Sequence, residues 1–143
     1  MKKLTIILEH GKNKDIWGLV RSENAFTIVE VQKNNEALTA SLRDQIQDYI
    51  DHEGQANEEW RELIASEIEF DYAYTVIGLF KAFDFLNITA VAKASGINTS
   101  LLRQYASGLK HPSLPTAQRI ERGIHSLAQS MLKTQISHYR VTA

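Results

Sequence analysis

The segment that most constrains the fold is residues 88–107, which predicts two short helices joined by a tight turn. Ala92 falls on the buried side of the first helix, where a small side chain lets a second helix cross close by. Gly96 follows four residues later, where the chain must turn sharply, and glycine reaches a positive φ without steric cost. Asn98 or Thr99 then supplies a side-chain oxygen that caps the second helix. The segment therefore predicts a pair of crossed helices.

The second helix separates an inward from an outward set of residues. Leu102 and Tyr105, with Ile97 just ahead of the helix, are spaced to pack inward. The outward positions are all polar, namely Asn98, Thr99, Ser100, Arg103, Gln104 and Ser107. Arginine suits a guanine edge and glutamine an adenine edge in the major groove of DNA, so these six residues are candidates for base readout. A helical hairpin that binds a protein partner would show the same packing pattern, and that alternative stays open.

These residues resemble the helix-turn-helix of the Cro and phage-repressor type. The likeness continues through residues 107–113, where such domains have a glycine, a basic loop and a proline before their next helix. It covers residues 75–131, and it implies that Ala92, Gly96 and Leu102 hold the motif together. Lys93 and Lys110 flank the motif at its ends, which suits contacts with phosphates.

Charge is distributed unequally along the 143 residues. Residues 1–70 hold 8 Lys and Arg against 14 Asp and Glu, whereas residues 71–143 hold 8 against 3. Such a difference in sign is expected where one domain meets phosphates and another meets something else. An ordinary solvated basic surface would account for the same count. The apolar fraction of 43% supports a packed core in one domain or two small ones.

The first half of the chain has the periodicity of strands. Apolar residues alternate at Leu4, Ile6 and Leu8, and residues 17–20 and 26–31 form two more apolar segments, which predicts three strands. Asn34 or Asn35 can then cap a helix with apolar positions at helical spacing, namely Leu38, Leu42, Ile46, Tyr49 and Ile50. A fourth strand is predicted at residues 68–74, with its apolar side facing the core at Ile68, Phe70, Tyr72 and Tyr74.

The expected fold is therefore α+β, with a β-β-β-α-β domain followed by helices only. The last helix is expected to have an inner stripe of Ile120, Ile124, Leu127 and Met131. This order resembles the HicB-like antitoxin family, most clearly at residues 35–38 and 96–112. The resemblance implies a degraded ribonuclease H fold in residues 1–74, an operator-binding helix-turn-helix domain in residues 75–134 and a tail in residues 135–143.

For function, the resemblance implies a sequence-specific DNA-binding autorepressor that acts as a homodimer or a higher even oligomer. The alternative is a module whose acidic N-terminal domain neutralises a HicA-type RNA-cleaving toxin. The Pro-Asp-Leu-Pro-Gly type of loop common in that family has no counterpart at residues 21–26, so a regulator paired with a toxin and a solitary regulator both stay open.

Several classes of chemistry lack a motif in this sequence. The chain has no cysteine, which excludes disulfides and thiolate sites. The best carboxylate candidates have no metal-ligand spacing, and the five histidines lie far apart; these carboxylates are Glu9, Asp15, Glu30 and Glu69. We therefore expect no enzyme activity, no metal and no cofactor. No long apolar run or leader segment is present, which predicts a cytoplasmic protein without a membrane partner.

Overall fold

The computed structural model describes residues 2–11 and 13–142. The fold is α+β, with a four-stranded mixed sheet followed by helices. The chain divides into two compact units, Met1–Ala82 and Phe83–Ala143. Among the described residues, no helix combines the length and the apolar character needed to cross a bilayer.

The sheet of the first unit contains strands β1 (Lys3–His10), β2 (Ile16–Ser22), β3 (Phe26–Gln32) and β4 (Glu69–Tyr74). Their order is β3-β2-β1-β4; β1 pairs antiparallel with β2 and parallel with β4, and β2 pairs antiparallel with β3. The turn between β2 and β3 places Asn24 at φ 60°, a left-handed conformation that asparagine tolerates better than most residues.

Helix α1 (Asn35–Asp51) covers one face of this sheet. It begins at the cap Asn34, whose side-chain oxygen accepts a hydrogen bond of 2.8 Å from the Ala37 N–H. Its apolar positions recur at helical spacing and are fully buried against alternate residues of the strands. The buried set comprises Leu38, Leu42, Ile46 and Ile50 from the helix and Leu4, Ile6, Leu8 and Val20 from the strands. The sequence periodicity identified this core correctly.

The acidic segment after α1 is more ordered than its composition indicates. It contains two short 3-10 turns, Glu53–Ala56 and Ala65–Glu67, on either side of Trp60. Trp60 is completely buried and meets Phe26 edge-on, with 4.9 Å between ring centroids, while Tyr49 packs edge-on against both rings. This aromatic cluster attaches the connection to the core.

The strict arrangement of a β-β-β-α-β domain followed by a separate all-helical domain is wrong. The two 3-10 turns stand between α1 and β4, and the first helix after the sheet, α2 (Val76–Ala82), belongs to the first unit. Helix α2 packs directly on β1. The contact is so close that a Cβ atom at Gly78 would lie only 2.5 Å from the Leu8 carbonyl oxygen. The missing side chain allows helix and strand backbones to touch, a contact that apolar periodicity cannot predict.

The expectation of a buried face on β4 holds only at its beginning. Ile68, just before the strand, is buried and Phe70 packs against the core, but Tyr72 and Tyr74 are exposed. The cause is the position of β4 at the edge of the sheet, whereas α1 packs over β2 and β3. The Tyr72 hydroxyl lies 2.9 Å from that of Thr39 on α1.

The second unit contains three helices, α3 (Ile88–Ser95), α4 (Thr99–Ser107) and α5 (Leu114–Leu132). Its core is small and consists of Val91, Ala92, Leu102, Tyr105 and Ile120. The expected inner stripe of α5 ends early, because Met131 is 64% exposed. At 1.5 Å per residue, the 19 residues of α5 reach well beyond the 8 residues of α3, so its last turns extend past α3.

Candidate nucleic-acid interface

The turn between α3 and α4 depends on Gly96. Its φ of 68° and ψ of 34° lie in the left-handed region, which costs glycine little. The Ile97 N–H donates a hydrogen bond of 3.1 Å to the Ala92 carbonyl, and Arg119 of α5 donates from its guanidinium to the Gly96 carbonyl. The turn is therefore held from within the motif and from the last helix.

The part that Arg119 has in this turn has no local signal in the sequence. Arg119 lies 23 residues after Gly96, and nothing local in the sequence marks the two as partners. The structure uses Arg119 to satisfy a carbonyl at the end of α3.

Helix α4 is capped by Asn98, one of the two candidates for that role. The Asn98 side-chain oxygen accepts hydrogen bonds of 2.8 Å from the Ser100 N–H and 3.3 Å from the Leu101 N–H. That oxygen is therefore occupied within the protein, whereas the NH₂ group of Asn98 has no partner among the described residues and can approach a base. Thr99, the other candidate cap, is half-buried at the first position of the helix.

The motif is packed as a helix crossing requires. Ala92 and Leu102, two of the three expected structural residues, are completely buried. Helices α3 and α5 approach closely at Ser95 and Gly123, where an added Cβ on Gly123 would lie 2.9 Å from the Ser95 backbone nitrogen. The Ser95 hydroxyl is buried there and has no hydrogen-bond partner in the part of the chain that the structure describes. These contacts fix the inward side of the motif.

The exposed face of α4 is polar. Ser100, Arg103 and Ser107 are exposed at spacings of three and four residues, so they form one stripe, and Gln104 is half-buried beside it. The Ser107 hydroxyl donates a hydrogen bond of 3.1 Å to the Gln104 carbonyl. Arg103 has no hydrogen bond or ion pair to any residue that the structure describes, so the donors of its guanidinium are available to a ligand.

The two expected phosphate contacts precede and follow this stripe along the sequence. Lys93 is exposed in the last turn of α3, and Lys110 is exposed in the loop after Gly108, which ends α4 at φ 82°. The residues of this unit include seven Lys and Arg and two Asp and Glu, a net charge of +5. The exposed basic side chains therefore stand on a unit whose overall charge attracts phosphates.

The carboxylates of the first unit do not form a metal site. Within the described residues, no group of three or more His, Asp or Glu side chains could hold a metal ion. Asp15 pairs with Lys33, and Glu69 lies 3.9 Å from Lys3. Glu30 accepts hydrogen bonds of 2.7 Å from Ser41 and 2.6 Å from Gln45 on α1, which occupies its carboxylate within the fold.

The first unit also has an open groove of about 460 Å³ between β3 and α1. Its lining contains three carboxylates among aromatic and polar side chains, namely Phe26, Ile28, Ser41, Asp44, Gln45, Asp48, Tyr49, His52 and Glu53. His52 contacts the Asp48 carbonyl at 2.9 Å, and this hydrogen bond together with the Asp48 charge raises the pKa of the imidazole. The three carboxylates make the groove acidic.

Comparison of the chain with protein-family models, with curated protein sequences and with solved structures finds no match.

Proposed function

We propose that this protein is a sequence-specific DNA-binding regulator whose helix α4 enters the major groove. The observation that carries the proposal is the exposed polar stripe of Ser100, Arg103 and Ser107 on a helix whose opposite side is held by the buried Leu102 and Tyr105. An arginine with no partner among the described residues, on a helix capped at both ends, is suited to bidentate contact with guanine.

The remaining residues divide the work of binding. Gln104 and the NH₂ group of Asn98 extend the base-reading surface, with Thr99 at the start of the helix. Lys93 and Lys110 meet phosphates, which positions the helix without reading sequence. A single helix of nine residues reads only a few base pairs, so we propose that the chain acts as a homodimer or a higher even oligomer on paired half-sites.

The test begins by selecting a preferred duplex from a random library with the full chain. Arg103→Ala, Lys110→Ala and the wild type are then titrated against that duplex and a scrambled one at fixed salt. Arg103→Ala should weaken binding to the preferred duplex by about 1–3 kcal/mol, roughly 5- to 150-fold, and binding to the scrambled duplex much less. Lys110→Ala should weaken both duplexes alike and reduce the salt slope by about one unit for each phosphate that the variant no longer neutralises.

Arg61→Ala is the matched control, because Arg61 is an exposed arginine of the acidic first unit and its loss should change neither affinity. Equal losses on both duplexes for Arg103→Ala would make Arg103 a phosphate contact. No loss on either duplex would mean that α4 is not the helix that enters the groove.

The acidic groove favours a second candidate function, the binding of a basic protein such as a HicA-type RNA-cleaving toxin. Asp44 and Asp48 line the groove and could meet lysine or arginine side chains. A doubly substituted Asp44→Asn, Asp48→Asn chain should then lose the protein partner and keep its DNA affinity. Arg103→Ala should do the reverse, so the two functions can be separated in one set of variants.

A further inference from the structure

The face of the sheet opposite α1 carries a row of apolar side chains across all four strands. The pairing register aligns Val29 of β3 with Leu19 of β2, Leu19 with Ile7 of β1, and Ile7 with Ala73 of β4. The residues that precede and follow Ile7 on β1, Ile6 and Leu8, are buried under α1, so the row faces the other way.

Three of the four residues of this row are exposed, and Leu19 is half-buried. Ile7 is 41% exposed and Val29 is 52% exposed, and Trp17, which follows in the next row of the same face, is 46% exposed. A contiguous apolar patch that crosses a whole sheet is uncommon on a monomer and indicates an interaction surface.

The charges around the row favour a second copy of this chain as the occupant. Lys3 lies 3.9 Å from Glu69 and 3.7 Å from Asp71, so these three charges compensate one another within one protomer. Arg21 is exposed and Glu9 is half-buried on the same face, with the Glu9 Cα beside Gly78 of α2, and neither makes an ion pair with any described residue. They sit on opposite sides of the apolar row, because β1 and β2 are antiparallel and each residue comes two positions after a member of the row.

We propose that two copies pack through this face, with a two-fold axis parallel to the apolar row. A rotation of 180° about that axis lays the row on itself and exchanges its two sides. Arg21 of one protomer is then placed over the neighbouring Trp17 and Glu9 of its partner, and the symmetric contact forms at the other side. Arg21 of each copy then pairs with Glu9 of the other, and its guanidinium lies against the indole ring of the other copy's Trp17.

The size of the face sets the expected strength of this dimer. Four strands spaced about 4.8 Å apart and about 20 Å long give a flat footprint on the order of 400 Å² for each protomer. The two footprints together total about 800 Å², which is below the roughly 1,200 Å² at which stable specific interfaces begin. We therefore expect a weak, transient dimer with a dissociation constant of roughly 1–100 μM. The inference goes beyond the proposed function, since it concerns association through the first unit, and it holds whether or not α4 binds DNA.

Sedimentation of the full chain from about 1 to 200 μM, without DNA, measures the dissociation constant. Arg21→Glu and Glu9→Arg should each raise it by about 10- to 100-fold, because each replaces two attractive contacts with two repulsive ones. The combined Arg21→Glu, Glu9→Arg chain should return to within about threefold of the wild type, because the swap recreates both pairs. Val29→Glu should abolish the dimer. Arg61→Glu should leave it unchanged, because Arg61 follows Trp60, which is buried in the core on the α1 side of the sheet.

Far-UV circular dichroism and thermal melts establish that each variant is folded. Arg21→Gln serves if Arg21→Glu unfolds, with a smaller expected rise in the dissociation constant. A chain that is monomeric at 200 μM overturns the proposal, as does a dimer that Arg21→Glu and Val29→Glu leave intact. Failure of the combined swap to restore association overturns the proposed axis. A chain that dimerises as expected but gives equal losses on both duplexes for Arg103→Ala would sink the proposed function alone.

Discussion

Replacing Gly123 by alanine tests the crossing of α3 and α5 that positions the whole motif. The new methyl group would lie 2.9 Å from the backbone nitrogen of Ser95 and 3.0 Å from its Cα, and closer still to the Ser95 hydroxyl. The hydroxyl could rotate, but the backbone of α3 could not, so the two helices must separate.

The expected cost follows from two opposing effects. Overpacking a tight contact costs about 1–3 kcal/mol, and the contact with backbone atoms places this case in the upper part of that range. Alanine recovers about 1 kcal/mol of helix propensity relative to glycine. The net loss is therefore about 1–2 kcal/mol, which lowers the midpoint of a unit of about 60 residues by roughly 4–16 °C.

The two units can be followed separately in the full chain. Both tryptophans, Trp17 and Trp60, lie in the first unit, so tryptophan fluorescence reports on that unit alone, whereas far-UV circular dichroism also follows α3, α4 and α5. Gly123→Ala should lower a dichroism transition and leave the fluorescence transition in place. Ser95→Ala is the control, since it removes a buried hydroxyl without a partner and should not destabilise the unit. A higher midpoint for Gly123→Ala, as at an exposed helix position, would refute the close crossing.

Two further changes test single interactions. Arg119→Met keeps an unbranched side chain but removes the donor to the Gly96 carbonyl. Hydrogen exchange of the Ile97 amide should therefore become about 3- to 10-fold faster. An unchanged rate would mean that this contact does not hold the turn. Hydrogen bonds from Ser41, the Val31 N–H and Gln45 lower the pKa of the Glu30 carboxyl from about 4.5, so their contribution is present above pH 4.5 and is lost as the pH falls through the folded-state pKa. Glu30→Gln should therefore lower the midpoint at pH 7, and its difference from the wild type should shrink below pH 4.5; a difference independent of pH would contradict this assignment.

Features that depend on a few neighbouring residues could be predicted from the sequence. The left-handed turn at Gly96 and the cap at Asn98 follow from local backbone requirements that few residue types meet. The buried stripe of α1 follows from apolar residues at helical spacing, and the alternation of β1 gives its inner face. In each case the residues themselves carry the signal.

Features that depend on distant partners could not be predicted. The attachment of α2 to β1 rests on a close approach of Gly78 to the Leu8 carbonyl, 70 residues away, and glycine gives no sign of which backbone it admits. The burial of Trp60 requires the rings of Phe26 and Tyr49, which come from a strand and a helix. The exposure of the end of β4 follows from its place at the edge of the sheet, which periodicity within one strand does not contain.

The same distinction applies to the candidate site. Exposure of Arg103 follows from the helical spacing of Leu102 and Tyr105, so α4 alone defines which side faces outward. The role of Arg119 does not follow from the spacing of residues in α4, because it depends on how α5 crosses the turn. A sequence pattern therefore identifies the residues that can read a base more readily than the residues that hold the reading helix in place.

The opposite charges of the two units decide how the net charge of the chain bears on DNA binding. Residues 1–82 contain 9 Lys and Arg and 15 Asp and Glu, a net −6, against +5 for residues 83–143. At physiological salt the Debye length is about 8 Å, so a phosphate in contact with Lys93 or Lys110 responds mainly to charges within one or two turns of a helix. Charges further away are largely screened. The relevant quantity for phosphate contact is therefore the positive charge of the second unit, and the overall charge of −1 does not oppose the proposed function.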